Sequence, residues 1–382
     1  MIVRARALTG AGGAAGLAVL IAGALAFAGP NTGKLSVVEV EDGADMAGPN
    51  DLTVSRDGRN VYLAAYDEPA IVTFKRKPKS GRLRFVESDL PANAAEIGDV
   101  EASPDGDFVY VTEAADDGSI LIFKRRGKQG KLKLSDRREH NDGDILADVY
   151  GLDISPDGDH VYANSSNDAR LITYRRNERT GKLSLVEQDN EPALSGAGSP
   201  VVAPDGRNVY VPGSSQSTLL TYERNPNNGR LKFVNGKVDG VGNVDGIAGL
   251  YGIGVSRDGA NVYATGNNES AVATFKRNRR SGKLRFVEAL FDDEGPIESM
   301  AGPYDVLASR DGKNVYVASY DEDSVTTFRR KADGTLRFLQ ARNDTVDSSP
   351  NGPYRMDLSR DDRHLYTADY GDDAVAVFKR RG

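Results

Sequence analysis

The chain runs to 382 residues with 49 Lys and Arg against 56 Asp and Glu, a formal charge of −7, and contains neither cysteine nor tryptophan. That acidic balance argues against a general nucleic-acid binder, and the lack of cysteine excludes disulfides, thiol catalysis, thiolate metal sites and lipid attachment at a Cys. The length allows one large domain or two ordinary ones, and no Pro/Ser/Gly-rich linker divides the sequence.

The first segment stands apart. Arg4 and Arg6 precede an Ala/Gly/Leu-rich stretch that ends Ala26-Phe27-Ala28 before Gly29-Pro30. A basic start, an apolar middle and a small-x-small exit predict a secretory signal peptide over residues 1–28. An uncleaved anchor is the alternative, because the apolar stretch is nearly long enough to span a bilayer; the well-formed Ala-x-Ala exit favours cleavage. Residues 29–382 are then one mature domain, secreted to an extracellular or periplasmic space, with no membrane span once the leader is removed. Loss of Arg4 and Arg6 takes the charge to −9. Without disulfides in an oxidising compartment, packing alone must hold the fold.

Further along, one phrase recurs: a small residue, Arg or Pro, Asp, Gly, two residues, then Val-Tyr. It stands as Ser55-Arg56-Asp57-Gly58 before Val61-Tyr62 and as Ser103-Pro104-Asp105-Gly106 before Val109-Tyr110. It returns at Asp157, Asp205, Asp258 and Asp311, and ends as Ser359-Arg360-Asp361-Asp362 before Leu365-Tyr366. These aspartates are spaced by 48, 52, 48, 53, 53 and 50 residues. Such a period, with four short strands per unit, predicts an all-β fold: a seven-bladed β-propeller of four-stranded antiparallel blades. Strand a precedes the phrase. The phrase is the a–b turn, with Gly where positive φ is needed. Strand b carries Val-Tyr, and strand c follows, as in Ser324-Val325-Thr326-Thr327-Phe328. A basic hairpin containing Gly leads to strand d, as in Gly282-Lys283-Leu284-Arg285-Phe286-Val287.

Six d strands, marked by Leu83, Leu132, Leu183, Leu231, Leu284 and Leu336, follow their own strand c. The seventh c strand ends at Phe378-Lys379-Arg380-Arg381-Gly382, so Thr32-Gly33-Lys34-Leu35-Ser36-Val37-Val38 is predicted to complete the last blade and close the ring. The tyrosines of strand b and the turn aspartates occur in every blade. Both sets read as structural: rings packed between sheets with each hydroxyl near a polar partner, and acids that form turns.

The phrase, together with Val109-Tyr110-Val111-Thr112 and Gly33-Lys34-Leu35, resembles the YVTN-repeat propellers and the seven-bladed lactonase-like family over about residues 32–381. The missing Trp sets the chain apart from WD40 repeats. The resemblance implies the architecture; its matching residues are structural and bring no active site with them. The family includes 6-phosphogluconolactonases and carboxymuconate-type lactone enzymes. A sugar phosphate wants a cluster of Arg or Lys, whereas the mouth expected here is acidic, and that pathway is cytoplasmic whereas this chain carries an export signal. The family often has His in the Gly-Pro-x-x segment that opens strand a. Here those segments read Gly48-Pro49-Asn50-Asp51, Gly302-Pro303-Tyr304-Asp305 and Gly352-Pro353-Tyr354-Arg355, so no His-dependent mechanism is carried over.

Charge is expected to divide between the two ends of the ring. The b–c loops hold Asp67, Glu68, Glu113, Asp116, Asp117, Asp168, Glu269, Asp321, Glu322, Asp323, Asp369, Asp372 and Asp373 against the single base Arg170. The c–d hairpins carry basic runs such as Lys75-Arg76-Lys77, Lys124-Arg125-Arg126 and Arg329-Arg330-Lys331. This predicts an acidic ligand face, suited to cationic or neutral hydroxyl-rich ligands, and a basic opposite rim. Strand a opens with Asp51, Asp99, Gly151, Ser199, Gly252, Asp305 and Arg355; Tyr150, Tyr251, Tyr304 and Tyr354 stand one place earlier, and Glu101, Asp153 and Asp357 two places later. Tyr66, Tyr320 and Tyr370 sit in the b–c loops of blades 1, 6 and 7, which are neighbours in a closed ring. Asp51, Asp305 and Arg355 are the candidate catalytic residues, expected in one sector with several tyrosines; Asp99, Glu101, Asp153, Tyr66, Tyr304, Tyr320, Tyr354 and Tyr370 are the candidate ligand contacts. A hydrated polar channel lining is the competing reading.

Two functions remain open. Hydrolysis of a small unphosphorylated lactone needs a carboxylate to activate water, Asp51 or Asp305, and a cation near the oxyanion, Arg355. Ca²⁺ or another divalent cation held by several carboxylates would be a substitute for Arg355, although no D-x-D-x-D-G loop exists and the sequence names no cofactor. Alternatively, a non-catalytic module, expected to be a monomer, would bind a small molecule, a glycan or an extracellular protein at the acidic face, its tyrosines stacking on the ligand. The histidines are His140, His160 and His364, the last two in a–b turns, which argues against a histidine triad or zinc site. No phosphate-binding glycine loop leads from a strand into a helix.

Overall fold

The computed structural model describes residues 32–382 apart from 44, 90–93, 95, 116, 141–145, 167, 191, 197 and 344–349. The expected leader and Asp116 lie outside the described residues. Among the described residues no helix is long and apolar enough to cross a membrane.

The strands form seven four-stranded antiparallel sheets. Their innermost strands, strand a of blades 1 to 7, are Pro49–Val54, Ile97–Ala102, Val149–Ile154, Val201–Val202, Leu250–Val255, Pro303–Ala308 and Pro353–Leu358. The N-terminal strand Leu35–Asp42 pairs antiparallel with Ala374–Arg380, strand c of blade 7, with Leu35 opposite Arg380 and Val37 opposite Phe378. The ring is therefore closed by the first described strand, as the count of d strands requires. A closed ring leaves no sheet edge at a seam where another chain could add.

Between neighbouring blades lie apolar clusters drawn from both sheets. Leu52, Val61, Leu63 and Phe74 of blade 1 pack with Tyr366, Ala368, Val375 and Val377 of blade 7. Similar clusters fill the other interfaces. Strands b are buried along their whole length, as in Asn208–Gly213 and Asn314–Ser319, which fits their runs of Val, Tyr and Ala rather than an alternating pattern.

At one end of each interface the recurring tyrosine and aspartate meet an arginine from the next blade. Arg224, at the end of strand c in blade 4, donates from Nε to Tyr162 Oη at 2.8 Å and from Nη2 to both oxygens of Asp157 at 2.8 Å, across the interface with blade 3. Its Nη1 donates to the Gly206 carbonyl of its own a–b turn at 3.0 Å. The Tyr162 hydroxyl then donates to the Gly229 carbonyl at 2.9 Å. The same clasp joins Arg277 to Tyr210 and Asp205, Arg176 to Tyr110 and Asp105, and Arg125 to Tyr62 and Asp57. The seam is clasped too: Arg380 reaches Tyr316 and Asp311, Arg76 reaches Tyr366 and Asp361, and Tyr316 donates to Gly33 beside the closing strand. The strand-b tyrosines and turn aspartates are thus structural, as expected.

Two expectations change here. The basic hairpins are not wholly a rim, because Arg76, Arg176 and Arg277 have side chains 0–2 % exposed inside clasps. His160 and His364 begin strand b, and their Nδ1 atoms face Arg224 and Arg76 at 2.9 Å. Burial and then the guanidinium hold His364 neutral, with its pKa lowered to about 4. Other blades place Asn208, Asn261 or Asn314 there. Gly229 packs against this site at φ +78°, where a Cβ would lie 2.2 Å from the His160 ring.

Changing Tyr210 to Phe removes the group that accepts from Arg277 at 2.7 Å and donates to Gly282 at 3.1 Å. Leaving two buried groups unmatched is expected to lower stability by about 2 kcal/mol in urea unfolding at pH 7. A loss below about 0.5 kcal/mol would show that this clasp contributes little to the fold.

Candidate functional site

At the start of strand a the pairing with strand b slips by one residue, between Pro49 and Asp51, Val149 and Gly151, Pro303 and Asp305, and Pro353 and Arg355. A bulge sets two residues against one partner and interrupts the period-2 alternation. Sequence neighbours such as Tyr304 and Asp305, or Tyr354 and Arg355, thereby line two successive cavities along the axis.

The outer cavity is a cup of about 300 Å³ lined by Asn50, Tyr66, Tyr150, Tyr304, Tyr320, Tyr354 and Tyr370. Tyr150 of blade 3 and Tyr354 of blade 7 bring their hydroxyls within 3.2 Å of each other, and Tyr150 donates to Asn50 Oδ1 at 3.0 Å. Tyr251, Tyr304 and Tyr354 stack in series, with ring centroids 4.9 and 4.5 Å apart. The inner cavity is a chamber of about 250 Å³ whose charged lining is Asp51, Asp99, Glu101, Asp153, Asp305, Asp357, Arg310, Arg355 and Arg360. The sequence placed the tyrosines and the charged candidates in one sector; the structure sorts them into two compartments with no lining residue in common.

Most chamber carboxylates tie adjacent blades together. Asp51 accepts the N–H of Val100 at 2.8 Å, Asp99 that of Leu152 at 2.8 Å, Asp153 that of Val202 at 2.7 Å, Asp305 that of Met356 at 2.9 Å and Asp357 that of Val54 at 2.8 Å. Each bond runs from one inner strand to the inner strand of the next blade. These N–H groups lie on the edge facing the axis, where no further strand pairs with them, and need an acceptor. Glu101 instead receives the Thr53 hydroxyl at 3.3 Å.

Burial pushes Asp51 well above the usual carboxylate range, and the charge of Asp99, to which it is hydrogen-bonded, pushes it further. Burial also raises Asp153 to about 7, raises Asp305, and raises Glu101 with help from Asp153 and Asp357. Arg355 is enclosed with them. Burial opposes its charge, yet Asp305, Asp99 and Asp51 keep it firmly protonated. Its nearest contacts are Asp305 Oδ1 at 4.0 Å and Ser199 Oγ at 3.5 Å.

Two chamber residues escaped the sequence reading. Arg310 donates to the carbonyls of Ser359 at 3.3 Å and Leu358 at 3.2 Å, and Arg360 lines the same chamber. Both occupy the second position of the repeated phrase. That position is Pro104, Pro156 and Pro204 in blades 2 to 4 but Arg257, Arg310, Arg360 and Arg56 in the consecutive blades 5, 6, 7 and 1, which is the signal that marks them. The b–c acids are less uniform than expected, since Glu113 and Asp369 are buried. For a divalent cation, Asp239, Asp245 and Glu269 bring carboxylate oxygens within 4.8 Å of one another; none of the three lines the chamber.

A family model described as Lactonase, 7-bladed beta-propeller matches residues 91–194, 152–245 and 293–382. No curated protein matches the sequence. Among solved structures, the chain is similar to a periplasmic gluconolactonase of Pseudomonas aeruginosa, at 21% identity and TM-score 0.65 over 77% of this chain and 85% of that one. It is similar to a Bacteroides uniformis protein provisionally assigned as a 6-phosphogluconolactonase, at 20% identity and TM-score 0.66 over 77% and 85%. It is also similar to hydrazine synthase of Kuenenia stuttgartiensis, at 17% identity and TM-score 0.65 over 88% and 96%. At these identities the likeness is one of fold.

Two carboxylate populations with opposite shifts set the pH dependence of stability. The clasp acids Asp105, Asp157 and Asp205 are partly buried, but hydrogen bonds from serine, arginine or backbone groups hold them below 3.8, so their contribution is lost as pH falls below about 4. Asp153, raised from 3.8 to about 7, binds more protons folded than unfolded, so its contribution is lost as pH rises through about 7. Calorimetric melting midpoints are expected to peak between about pH 4 and 6. A midpoint that climbs steadily to pH 8 contradicts these shifts.

Proposed function

We propose that this chain, which belongs to the seven-bladed β-propeller lactonase family, is an exported hydrolase that opens a small unphosphorylated lactone in the axial chamber. The observation that carries this reading is the enclosure of Arg355 in one chamber with Asp51, Asp99 and Asp305. Burial and the neighbouring Asp99 charge raise Asp51 above the ordinary carboxylate range, which makes it a stronger base than a free carboxylate. Asp51 in its ionised form takes a proton from water as the water oxygen attacks the lactone carbonyl carbon. The Arg355 guanidinium faces the oxyanion, the ring C–O bond breaks, and the departing alkoxide regains the proton, leaving a hydroxy acid. Asp305 and Asp99 are the poorer bases, because backbone amides occupy both oxygens of each: Val306 and Met356 at 2.8 and 2.9 Å, Val100 and Leu152 at 3.0 and 2.8 Å. An unphosphorylated substrate is supported by the balance of charge in the chamber, six carboxylates against the three arginines Arg310, Arg355 and Arg360. A chamber of about 250 Å³ suits a single small ring rather than a chain of sugars. Export rests on the leader pattern of residues 1–28.

The use of so many carboxylates as ties between strands favours a second reading, in which the chamber is purely structural and the protein only binds a ligand. Turnover of a panel of five- and six-membered unphosphorylated aldonolactones, measured by base consumption above the spontaneous rate, separates the two. Asp51→Asn keeps an acceptor for the Val100 amide but removes the base; it is expected to lower kcat/KM by about 10²–10⁴-fold. Arg355→Met is expected to lower kcat by about 10²-fold or more. Wild-type turnover no faster than buffer across the panel, or full activity in both variants, would sink the hydrolase.

A further inference from the structure

The tyrosine cup has a chemistry of its own. Its polar groups are largely committed to the protein. Asn50 donates from Nδ2 to the Gly98 carbonyl at 2.7 Å and accepts from Tyr150 at 3.0 Å. Tyr66 donates to Glu96 Oε2 at 2.8 Å, and Tyr370 donates to Asp67 Oδ1 at 2.8 Å. A sugar needs several free donors and acceptors, whereas this lining mainly offers ring faces. The rings enclose the space from different directions: Tyr320 stands at 90° to Tyr354 and 61° to Tyr370, each at a centroid distance of 6.3 Å. Tyr304 meets Tyr320 at 5.7 Å and 67°.

Carboxylates surround the outer tyrosines of the cup, while the Arg355 guanidinium lies on the chamber side, its central carbon 5.9 Å from the Tyr354 ring centroid. No charged group belongs to the lining itself. The field of Glu96 and Asp148 acts on the Tyr66 hydroxyl, that of Asp67 on Tyr370, and that of Asp321 on Tyr304. Carboxylates that accept from phenol hydroxyls enrich the rings in electron density, and aromatic faces attract a cation through the ring quadrupole. A cation with no N–H to donate is suited to the outer part of the cup, away from Arg355: several ring faces, carboxylates beside Tyr66, Tyr304 and Tyr370, and no demand on the committed polar groups.

We propose that the cup is a binding site for a small quaternary ammonium group. It does not depend on the hydrolase reading, because cup and chamber share no lining residue. Tyr320 and Tyr370 form its outer wall, Tyr354 and Tyr150 its floor.

The test compares choline with its uncharged carbon isostere, 3,3-dimethyl-1-butanol, by titration calorimetry on the whole protein. Tyrosine emission gives an independent readout, since the sequence has 16 Tyr and no Trp to mask it. Choline is expected to bind at least about tenfold more tightly than the isostere. Tyr320→Leu and Tyr370→Leu are each expected to weaken choline about tenfold, and Tyr320→Phe, which keeps the ring, to stay within about threefold of wild type. Far-UV circular dichroism of the variants excludes loss of fold, and Tyr370→Leu carries the test if Tyr320→Leu does not fold. Equal binding of choline and isostere, no choline binding at about 50 mM, or unchanged affinity in folded leucine variants would each overturn the proposal.

Discussion

The arginine that crosses from each blade to the tyrosine and aspartate of its neighbour is the contact on which the ring depends. Apolar packing between sheets is not directional and tolerates sliding. The clasp is directional: one guanidinium meets a phenol and a carboxylate of the next blade and a turn carbonyl of its own. Arginine suits the task because its planar fork is always charged and presents donors in fixed directions. Its partner tyrosine accepts on one side and donates on the other, so the interior holds a charge whose bonds are met. In blade 2 the residue at the histidine or asparagine position is Phe108, and Arg176 lies 5.5 Å from its ring centroid, so the site still meets the cation with a suitable surface.

Clasps at one end of the interfaces and carboxylate ties along the axis fix the inner strands from two directions. The chamber is therefore rigid because of the very acids that make it interesting chemically. A carboxylate that holds a backbone amide is oriented without a ligand, which is the preorganisation that catalysis by fixed charges needs. It is also held in a dry setting that favours the protonated form. Structural and chemical roles coincide at Asp51, and they part at Glu101, whose carboxyl receives a side-chain hydroxyl instead of tying two strands.

The architecture was legible because turns and counting constrain it. Asp and Gly at the a–b turn have few other uses, and a seventh c strand without a d strand leaves the segment after Thr32 as its partner. The strand-b tyrosines were legible as structure because they recur in every blade. The inward arginines were not, since in Lys75-Arg76-Lys77 the composition is uniform and register decides which residue turns in. Nor was the separation of cup from chamber: a bulge is a one-residue event, and alternation alone would send Tyr354 and Arg355 to opposite faces. Arg310 and Arg360 were hidden by tolerance, because the turn accepts Pro or Arg equally well at that position.

The seam has a kinetic meaning. Ser36 and Lys379 face each other across 343 positions of sequence, so the last blade cannot be finished until nearly the whole polypeptide has been made. Up to that moment the growing molecule is an open arc whose terminal sheets lack their neighbours, exposed to sticking and to exchange of strands between copies. Closure of so long a loop is slow in proportion to its non-local character. Once made, it locks, because opening at any one interface would have to part the seam or a clasp. The molecule should therefore be slow to mature and slow to come apart, with durability set by a barrier rather than by its equilibrium free energy alone.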